Sequence, residues 1–120
     1  MGTAARGAAW PSVSFIVPLF NHVQQTQEML DSLLAHMPEG LEFEILLADD
    51  ASTDGTAAWL ATLRHPQIKT LRSEVNRGYA ANNNAAARQA KGEVLALLNN
   101  DLLLQAGWLP PMLDLLLLPQ

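Results

Sequence analysis

Apolar residues cluster in four short runs along the chain, and polar or turn-forming residues follow each run. The runs lie at 13–18, 43–48, 68–71 and 94–98. Three of them are mostly apolar from end to end, which is typical of strands covered on both faces, as in parallel sheets. The run at 68–71 alternates between apolar and polar residues, so we expect this strand near an edge of the sheet.

Segments with helical spacing separate these runs. The first follows Asn21, which is a predicted N-cap, and a short second helix is expected over 56–63. An alanine-rich stretch at 79–91 predicts a third helix that Gly92 closes as a C-cap, and the last segment, from Gly107, is predicted to hold an apolar fourth helix through Leu118. Strands that alternate with helices predict an α/β fold with a doubly wound, mostly parallel, right-handed sheet of about four strands.

The composition of the chain argues against several classes of function. The formal charge is −5 and no Lys/Arg run occurs, which argues against a nucleic-acid partner. The chain has no cysteine, which excludes disulfides and thiolate metal sites, and it has no apolar run of 18 residues. Residues 1–12 are expected to be a disordered leader or an expression remnant, and 13–120 one domain or part of one.

Two adjacent acids, Asp49 and Asp50, end the second apolar run. Carboxylates in this position repel each other and are costly unless something pairs with them. Asp50 could cap the following turn with Ser52 and Thr53 in an Asx arrangement. Alternatively, one acid accepts a hydrogen bond from a ligand N–H while the other orders the loop. The carboxyl ends of parallel strands are where open α/β sheets bind ligands, which favours the second interpretation.

Asn99, Asn100 and Asp101 follow the fourth run. Asp101 could cap the next helix, or it could join substrate phosphates and water around a divalent cation. The two amides could hydrogen-bond a sugar without adding charge.

The segment 76–84 holds Arg77 and Gly78, followed by three consecutive asparagines. An exposed polar helix face would explain two of these asparagines, and Arg77 could be a solvated charge. Gly78 before a helix N-terminus offers backbone amides and a positive dipole to an anion.

Four motifs, in this order and spacing, resemble family 2 glycosyltransferases of the GT-A fold. They are VSFIVPLFN at 13–21, ILLADDASTDGT at 45–56, NRGYAANNNAA at 76–86 and GEVLALLNND at 92–101. The resemblance covers nearly everything after residue 12. Within the family, the chain resembles bacterial rhamnosyl and other sugar transferases that act in polysaccharide biosynthesis. It implies the strand order 3-2-1-4.

The resemblance also implies the residues that bind a nucleotide-sugar donor. Pro18, Leu19 and Phe20 match the strand edge that flanks the nucleotide base. Asp50 matches the acid that accepts from the N3–H of uracil or thymine, with Asp49 as its neighbour.

Further along the chain, Arg77 and Gly78 match the wall on the base and diphosphate side, and Asn82 lies on the helix behind it. Asn100 matches a residue directed towards the ribose or sugar, and Asp101 matches a ligand of Mg²⁺ or Mn²⁺. Asp101 is the single carboxylate where the family's metal motif has two.

The implied activity is inverting, metal-dependent sugar transfer from a UDP- or dTDP-sugar to a glycan or lipid-linked acceptor. The resemblance places the catalytic base about a hundred residues further on, so this chain would be a donor-binding half that does not turn over alone. The same resemblance implies a cytoplasmic location. It also implies that the full-length protein associates peripherally with the inner face of the membrane.

Two other functions are alternatives to a glycosyltransferase. One is a non-catalytic fragment that binds nucleotide sugars. The other is a signalling receiver domain, which requires its acid pair after the first strand, whereas Asp49 and Asp50 follow the second. We also expect self-association of the fragment, because the fourth strand would be an uncovered apolar edge.

Overall fold

The structure, a computed structural model, describes residues 10–99. Within this range, four strands alternate with three helices. The strands are β1 (Val13–Leu19), β2 (Phe43–Asp50), β3 (Ile68–Ser73) and β4 (Val94–Leu97), and the helices are α1 (Val23–Ala35), α2 (Thr56–Leu60) and α3 (Tyr79–Gln89). Each predicted strand is present, with bounds that differ from the prediction by two residues at most. The last predicted helix, which runs through Leu118, lies outside the described residues.

All pairs in the sheet are parallel, in the order β3-β2-β1-β4. Phe15 at the centre of β1 is opposite Ile45 on β2 and Ala96 on β4. The predicted α/β class, strand order and edge position of β3 are therefore confirmed. Within residues 10–99, none of the helices has the length and apolar character needed to cross a membrane.

The two central strands are buried on both faces, as their continuous apolarity predicts. One face of β1 and β2 packs with α1 and α2 around Phe15, Ile45 and Leu47. The other face packs under α3, where Ile16 and Leu46 are fully buried. Burying a side chain of this size contributes about 1.5–3 kcal/mol. The core thus fixes the central strands and, with them, the positions of the residues that follow β1 and β2.

The predicted N-cap at Asn21 is wrong. Asn21 and His22 have φ values of 58° and 59°, and α1 begins after them at Val23. The Asn21 carboxamide oxygen instead accepts from the backbone N–H of Thr53 at 2.8 Å and of Asp54 at 3.2 Å. Asp54 in turn accepts from the Val23 N–H at 3.2 Å. The loops after β1 and β2 therefore cap each other.

The predicted C-cap at Gly92 is also wrong, because α3 ends at Gln89 and Ala90 is already extended. Gly92 is needed for a close approach to β1. A Cβ there would lie 2.6 Å from both the backbone nitrogen and the hydroxyl of Ser14. The Gly92 N–H donates to that hydroxyl at 2.7 Å. Glycine thus lets the chain enter β4 directly beside β1.

Glu44 joins three segments at the amino ends of the strands. Its carboxylate accepts from the Ser14 hydroxyl and the Lys91 N–H, both at 2.6 Å, and pairs with Lys69 on β3 at 3.1 Å. Burial raises the pKa of Glu44, but the hydrogen bonds from Ser14 and Lys91 and the charge of Lys69 outweigh it. The pKa is therefore lowered from its ordinary value of 4.5.

We predict that Glu44→Gln destabilises the fold by about 2 kcal/mol at neutral pH, since charge-assisted hydrogen bonds are lost. A lowered folded-state pKa gives stability that is present above the unfolded pKa and is lost as pH falls through the folded pKa. The difference in the free energy of unfolding between Glu44→Gln and the parent should therefore shrink below pH 4.5. Urea unfolding between pH 3 and 7 measures it, and a constant difference would contradict this account.

The outer edge of β4 has no strand partner among residues 10–99. Leu95 and Leu97 are 44% and 54% exposed on this strand. Unpaired backbone groups beside apolar side chains are a template for pairing with another chain.

We therefore predict that the 120-residue chain self-associates at micromolar concentration, which light scattering after gel filtration measures. Leu97→Lys should reduce the association because a charge on an edge strand opposes pairing. Gln25→Lys, which adds the same charge at an exposed position on α1, away from β4, is the control. A monomeric parent chain would contradict the prediction.

Candidate functional site

A cavity of about 380 Å³ opens at the carboxyl ends of the strands. It lies between the end of β1, the end of β2 and the start of α3. Its walls come from nine residues: Pro18, Leu19, Phe20, Asp50, Asn76, Gly78, Tyr79, Asn82 and Asn99. The position is the ligand-binding edge of an open α/β sheet.

Most of the residues predicted from the sequence meet at this cavity. Six of its wall residues were predicted to bind the donor: Pro18, Leu19, Phe20, Asp50, Gly78 and Asn82. Arg77 lines a neighbouring cavity of about 320 Å³. Asp49 lies behind the wall, where protein groups use its carboxylate. Asn100 and Asp101 lie outside the described residues.

The end of β1 forms one wall. Pro18 is opposite Ala48 in the sheet and has no N–H to donate, and Leu19 is buried. Phe20 follows the strand and is 48% exposed. Across the cavity, Tyr79 is 63% exposed at the start of α3. Two aromatic side chains therefore border a partly open space whose other walls include polar groups.

Asp50 connects the end of β2 to the segment before α3. Its Oδ1 accepts from the Arg77 N–H at 2.8 Å and its Oδ2 accepts from the Gly78 N–H at 2.9 Å. Gly78 has a φ of 91°, which favours glycine. The anion at this helix N-terminus is thus a protein carboxylate. Each carboxylate oxygen has more than one acceptor direction, so Asp50 can still accept a donor from the cavity.

Asp49 is fully buried and points to the opposite face of the sheet from Asp50. Its Oδ1 accepts from the Ser52 N–H at 3.1 Å and the Ser52 hydroxyl at 2.5 Å. Its Oδ2 pairs with Arg72. The Asx-type turn considered for Asp50 therefore forms at Asp49. Ala51, between Asp50 and Ser52, has a φ of 63° in this turn.

The three consecutive asparagines do not form an exposed face. Asn82 and Asn83 are each 7% exposed, and Asn84 is exposed. Asn82 donates from Nδ2 to the Ala48 carbonyl at 2.8 Å. The Asn83 carboxamide oxygen has no hydrogen-bond partner in the part of the chain that the structure describes. The first asparagine thus ties α3 to β2 at the cavity.

Sequence reasoning missed three residues at or beside the site. Asn76 and Tyr79 line the cavity but were assigned no binding role, whereas Asn99, which also lines it, was considered as a partner for a sugar. Asn76 accepts from the Gly78 N–H at 3.1 Å, and its place in the same motif was the available signal. Arg72 was also missed, because its pairing with Asp49 depends on the register between β2 and β3.

Among residues 10–99, no group of three or more His, Cys, Asp or Glu side chains is placed to hold a metal ion. A metal here would need Asp101, which lies outside that range, together with oxygens from a ligand. One carboxylate and neighbouring amides are hard oxygen donors, which suit Mg²⁺ or Mn²⁺.

Comparison with known proteins identifies the family. The model of glycosyl transferase family 2 matches residues 14–119. The succinoglycan biosynthesis protein ExoO of Rhizobium meliloti is 32% identical over 91 residues, which is 76% of this chain and 26% of ExoO. The chain therefore spans about a quarter of the length of this relative.

Two solved structures combine sequence and structural similarity. The mannosyltransferase PcManGT from Pyrobaculum calidifontis, in complex with GDP-Man and Mn²⁺, is 31% identical with a TM-score of 0.70; the match covers 81% of this chain and 29% of PcManGT. S. aureus TarS 1-349, in complex with UDP-GlcNAc, is 33% identical with a TM-score of 0.68; the match covers 75% of this chain and 26% of that one.

The parallel sheet, the cavity at its carboxyl edge and these similarities agree with one another. The fold is that of the GT-A glycosyltransferases. The chain belongs to glycosyl transferase family 2.

Proposed function

We propose that this chain is the donor-binding part of a glycosyltransferase that moves a sugar from a UDP- or dTDP-sugar to a hydroxyl of a glycan or lipid-linked acceptor. The observation that carries the proposal is the cavity beside Asp50, where an acceptor carboxylate and two aromatic walls meet at the carboxyl edge of the sheet. We further propose that the transfer inverts the configuration at the anomeric carbon of the sugar. The full-length protein would act in the cytoplasm, at the inner face of the membrane.

In this proposal Asp50 accepts the N3–H of the pyrimidine base. Asp50 is 4% exposed and its carboxylate is held by two backbone amides, so it offers a fixed acceptor direction to the ligand. Phe20 and Tyr79 supply the flat, apolar surfaces that a base requires. Preorganised contacts of this kind lower the entropy lost when the ligand binds.

Asn76 and Asn99 supply polar groups at the cavity for the ribose or the sugar. Arg77, on the neighbouring cavity, supplies a cation for the diphosphate side. In this assignment Asn82 supports the wall by its bond to Ala48. The residues described here bind and orient the donor, and we assign the removal of the acceptor proton to none of them.

Asp101, with Asn100 beside it in sequence, would hold a Mg²⁺ or Mn²⁺ ion together with the donor diphosphate. The bound cation would offset the negative charge of the diphosphate leaving group. The presence of Mn²⁺ in the PcManGT complex supports a divalent cation in general.

Thermal shift against UDP-, dTDP- and GDP-sugars tests the proposal, because a ligand that binds only the folded chain raises its stability. We predict stabilisation by the UDP or dTDP ligand. Asp50→Asn should weaken that binding roughly tenfold or more, since the loss of a charge-assisted hydrogen bond costs about 1.5–3 kcal/mol.

Calorimetry on the folded variant measures the affinity. Asp31→Asn, which removes a charge from an exposed position on α1, is the matched control and should bind as the parent does. Equal affinities of the Asp50 variant and the parent would remove Asp50 from the binding site. A parent chain that binds no nucleotide would refute the proposal itself.

Metal dependence gives a separate prediction. Asp101→Ala should abolish the gain in nucleotide affinity that Mn²⁺ produces, because it removes the single carboxylate of the motif. Titrations with and without Mn²⁺ measure the gain, and Asp31→Ala controls for the loss of a negative charge. If Mn²⁺ still strengthens binding in the Asp101 variant, the metal ligands lie elsewhere.

A further inference from the structure

Arg72 lies outside the cavity at the carboxyl edge, yet it contacts the turn on which two cavity walls depend. It is opposite Asp49 in the parallel register of β2 and β3. Its Nη1 donates to Asp49 Oδ2, and its Nη2 donates to the Ser52 carbonyl at 3.3 Å. One planar guanidinium thus joins the end of β2 to the turn that follows it.

The Asp49 carboxylate requires this cation. Its side chain is completely excluded from solvent, whereas that of Arg72 is one-third exposed. An ionised carboxylate without a partner is strongly unfavourable in such a place. The ion pair with Arg72 therefore offsets the cost of burying the Asp49 carboxylate beside Ser52.

Ser52 carries the connection to the loop after β1. Its N–H and hydroxyl both donate to Asp49, and its hydroxyl oxygen accepts from the Asn21 N–H at 2.8 Å. Asn21 directly follows Phe20, which lines the cavity. The contacts therefore run from Arg72 through Asp49 and Ser52 to the aromatic wall.

The same turn also controls Asp50. Successive side chains of a strand point to opposite faces, so the backbone that directs Asp49 towards Ser52 directs Asp50 towards the cavity. Ala51 then adopts a left-handed φ of 63°, a conformation that alanine takes only where its surroundings enforce it. Bonds from Arg72 to both sides of Ala51 enforce it here.

We propose that Arg72 is a positioning residue for the donor nucleotide. Through Asp49 and Ser52 it fixes the direction of the Asp50 carboxylate and the place of Phe20, and it does not itself contact the base. This inference rests on the proposed function, because the nucleotide is the ligand assigned there.

The test compares two substitutions at Arg72 in the whole chain. Arg72→Met removes the charge and keeps an apolar stem, and it should weaken the affinity for UDP or dTDP, measured with Mn²⁺ by calorimetry, about tenfold. Arg72→Lys keeps a cation but offers no planar fork to reach both Asp49 and Ser52, so a smaller loss is expected. Circular dichroism sets a temperature at which each variant is folded.

Lys69→Met is the matched control. Lys69 lies on the same strand and pairs with another carboxylate of β2, Glu44, but at the amino end of the sheet. A merely structural effect of losing an ion pair between β2 and β3 would appear in both variants. The positioning role requires that Lys69→Met bind nucleotide as the parent does.

Residue-resolved amide hydrogen exchange gives a readout that does not involve nucleotide. In Arg72→Met the amides of Ser52 and Asn21 should exchange faster than in the parent, while the amides at the centre of β1 keep their protection. Lys69→Met should leave the Ser52 and Asn21 amides unchanged. If Arg72→Met does not fold, Arg72→Lys takes its place in both measurements.

The outcomes separate the two proposals. A parent that binds nucleotide, with an Arg72 variant that binds equally well, overturns the positioning role alone. An equal loss of affinity in Lys69→Met overturns it as well. A parent that binds no nucleotide refutes the proposed function, and unchanged exchange at Ser52 and Asn21 would then still refute the role of Arg72.

Discussion

The carboxyl edge of this sheet depends on two adjacent carboxylates that are buried at the end of β2. Asp49 and Asp50 are 0% and 4% exposed, so water solvates neither charge well and each carboxylate depends on partners from the protein. Because they point to opposite faces, each finds a different partner. Asp49 binds the turn at Ser52 and the Arg72 side chain, and Asp50 binds the amides of Arg77 and Gly78. Two loops that are far apart in sequence are thereby fixed around one cavity.

The loops also contain backbone conformations that are unfavourable for their residues. Asn21, His22 and Ala51 all have φ near 60°, a conformation that costs roughly 1–2 kcal/mol for most residues. Asparagine tolerates it best, and its side chain here accepts from the amides of Thr53 and Asp54. Alanine makes no such bond, so the contacts of Asp49 and Arg72 with the Ser52 turn must hold its conformation. The strain thus lies in the residues that separate the strand ends from the helices.

The sequence predicts the strands well, because burial on both faces makes β1 and β2 continuously apolar. The strand order came from the family resemblance, since apolar runs alone do not specify which strands pair. Local reasoning failed where a partner is distant in sequence. Asparagine is a typical N-cap residue, but the side-chain oxygen of Asn21 accepts from the amides of Thr53 and Asp54. Arg72 lies beside Asp49 only because of the register between β2 and β3. Asn82 and Asn83 are polar yet buried, because α3 packs closely on β2.

The two ends of the sheet contain the same types of side chain, but these side chains bond to different segments. At the amino end a carboxylate of β2, a serine and a cation of β3 meet as Glu44, Ser14 and Lys69. These groups bond across the strands, and the chain before β4 approaches Ser14 so closely that a Cβ at Gly92 has no space. At the carboxyl end Asp49 bonds to its own turn, and Asp50 bonds to the segment before α3. Because the Asp50 bonds run to the segment before α3 and not to β1, the space between β1 and α3 stays open, and the proposed donor site lies at this end.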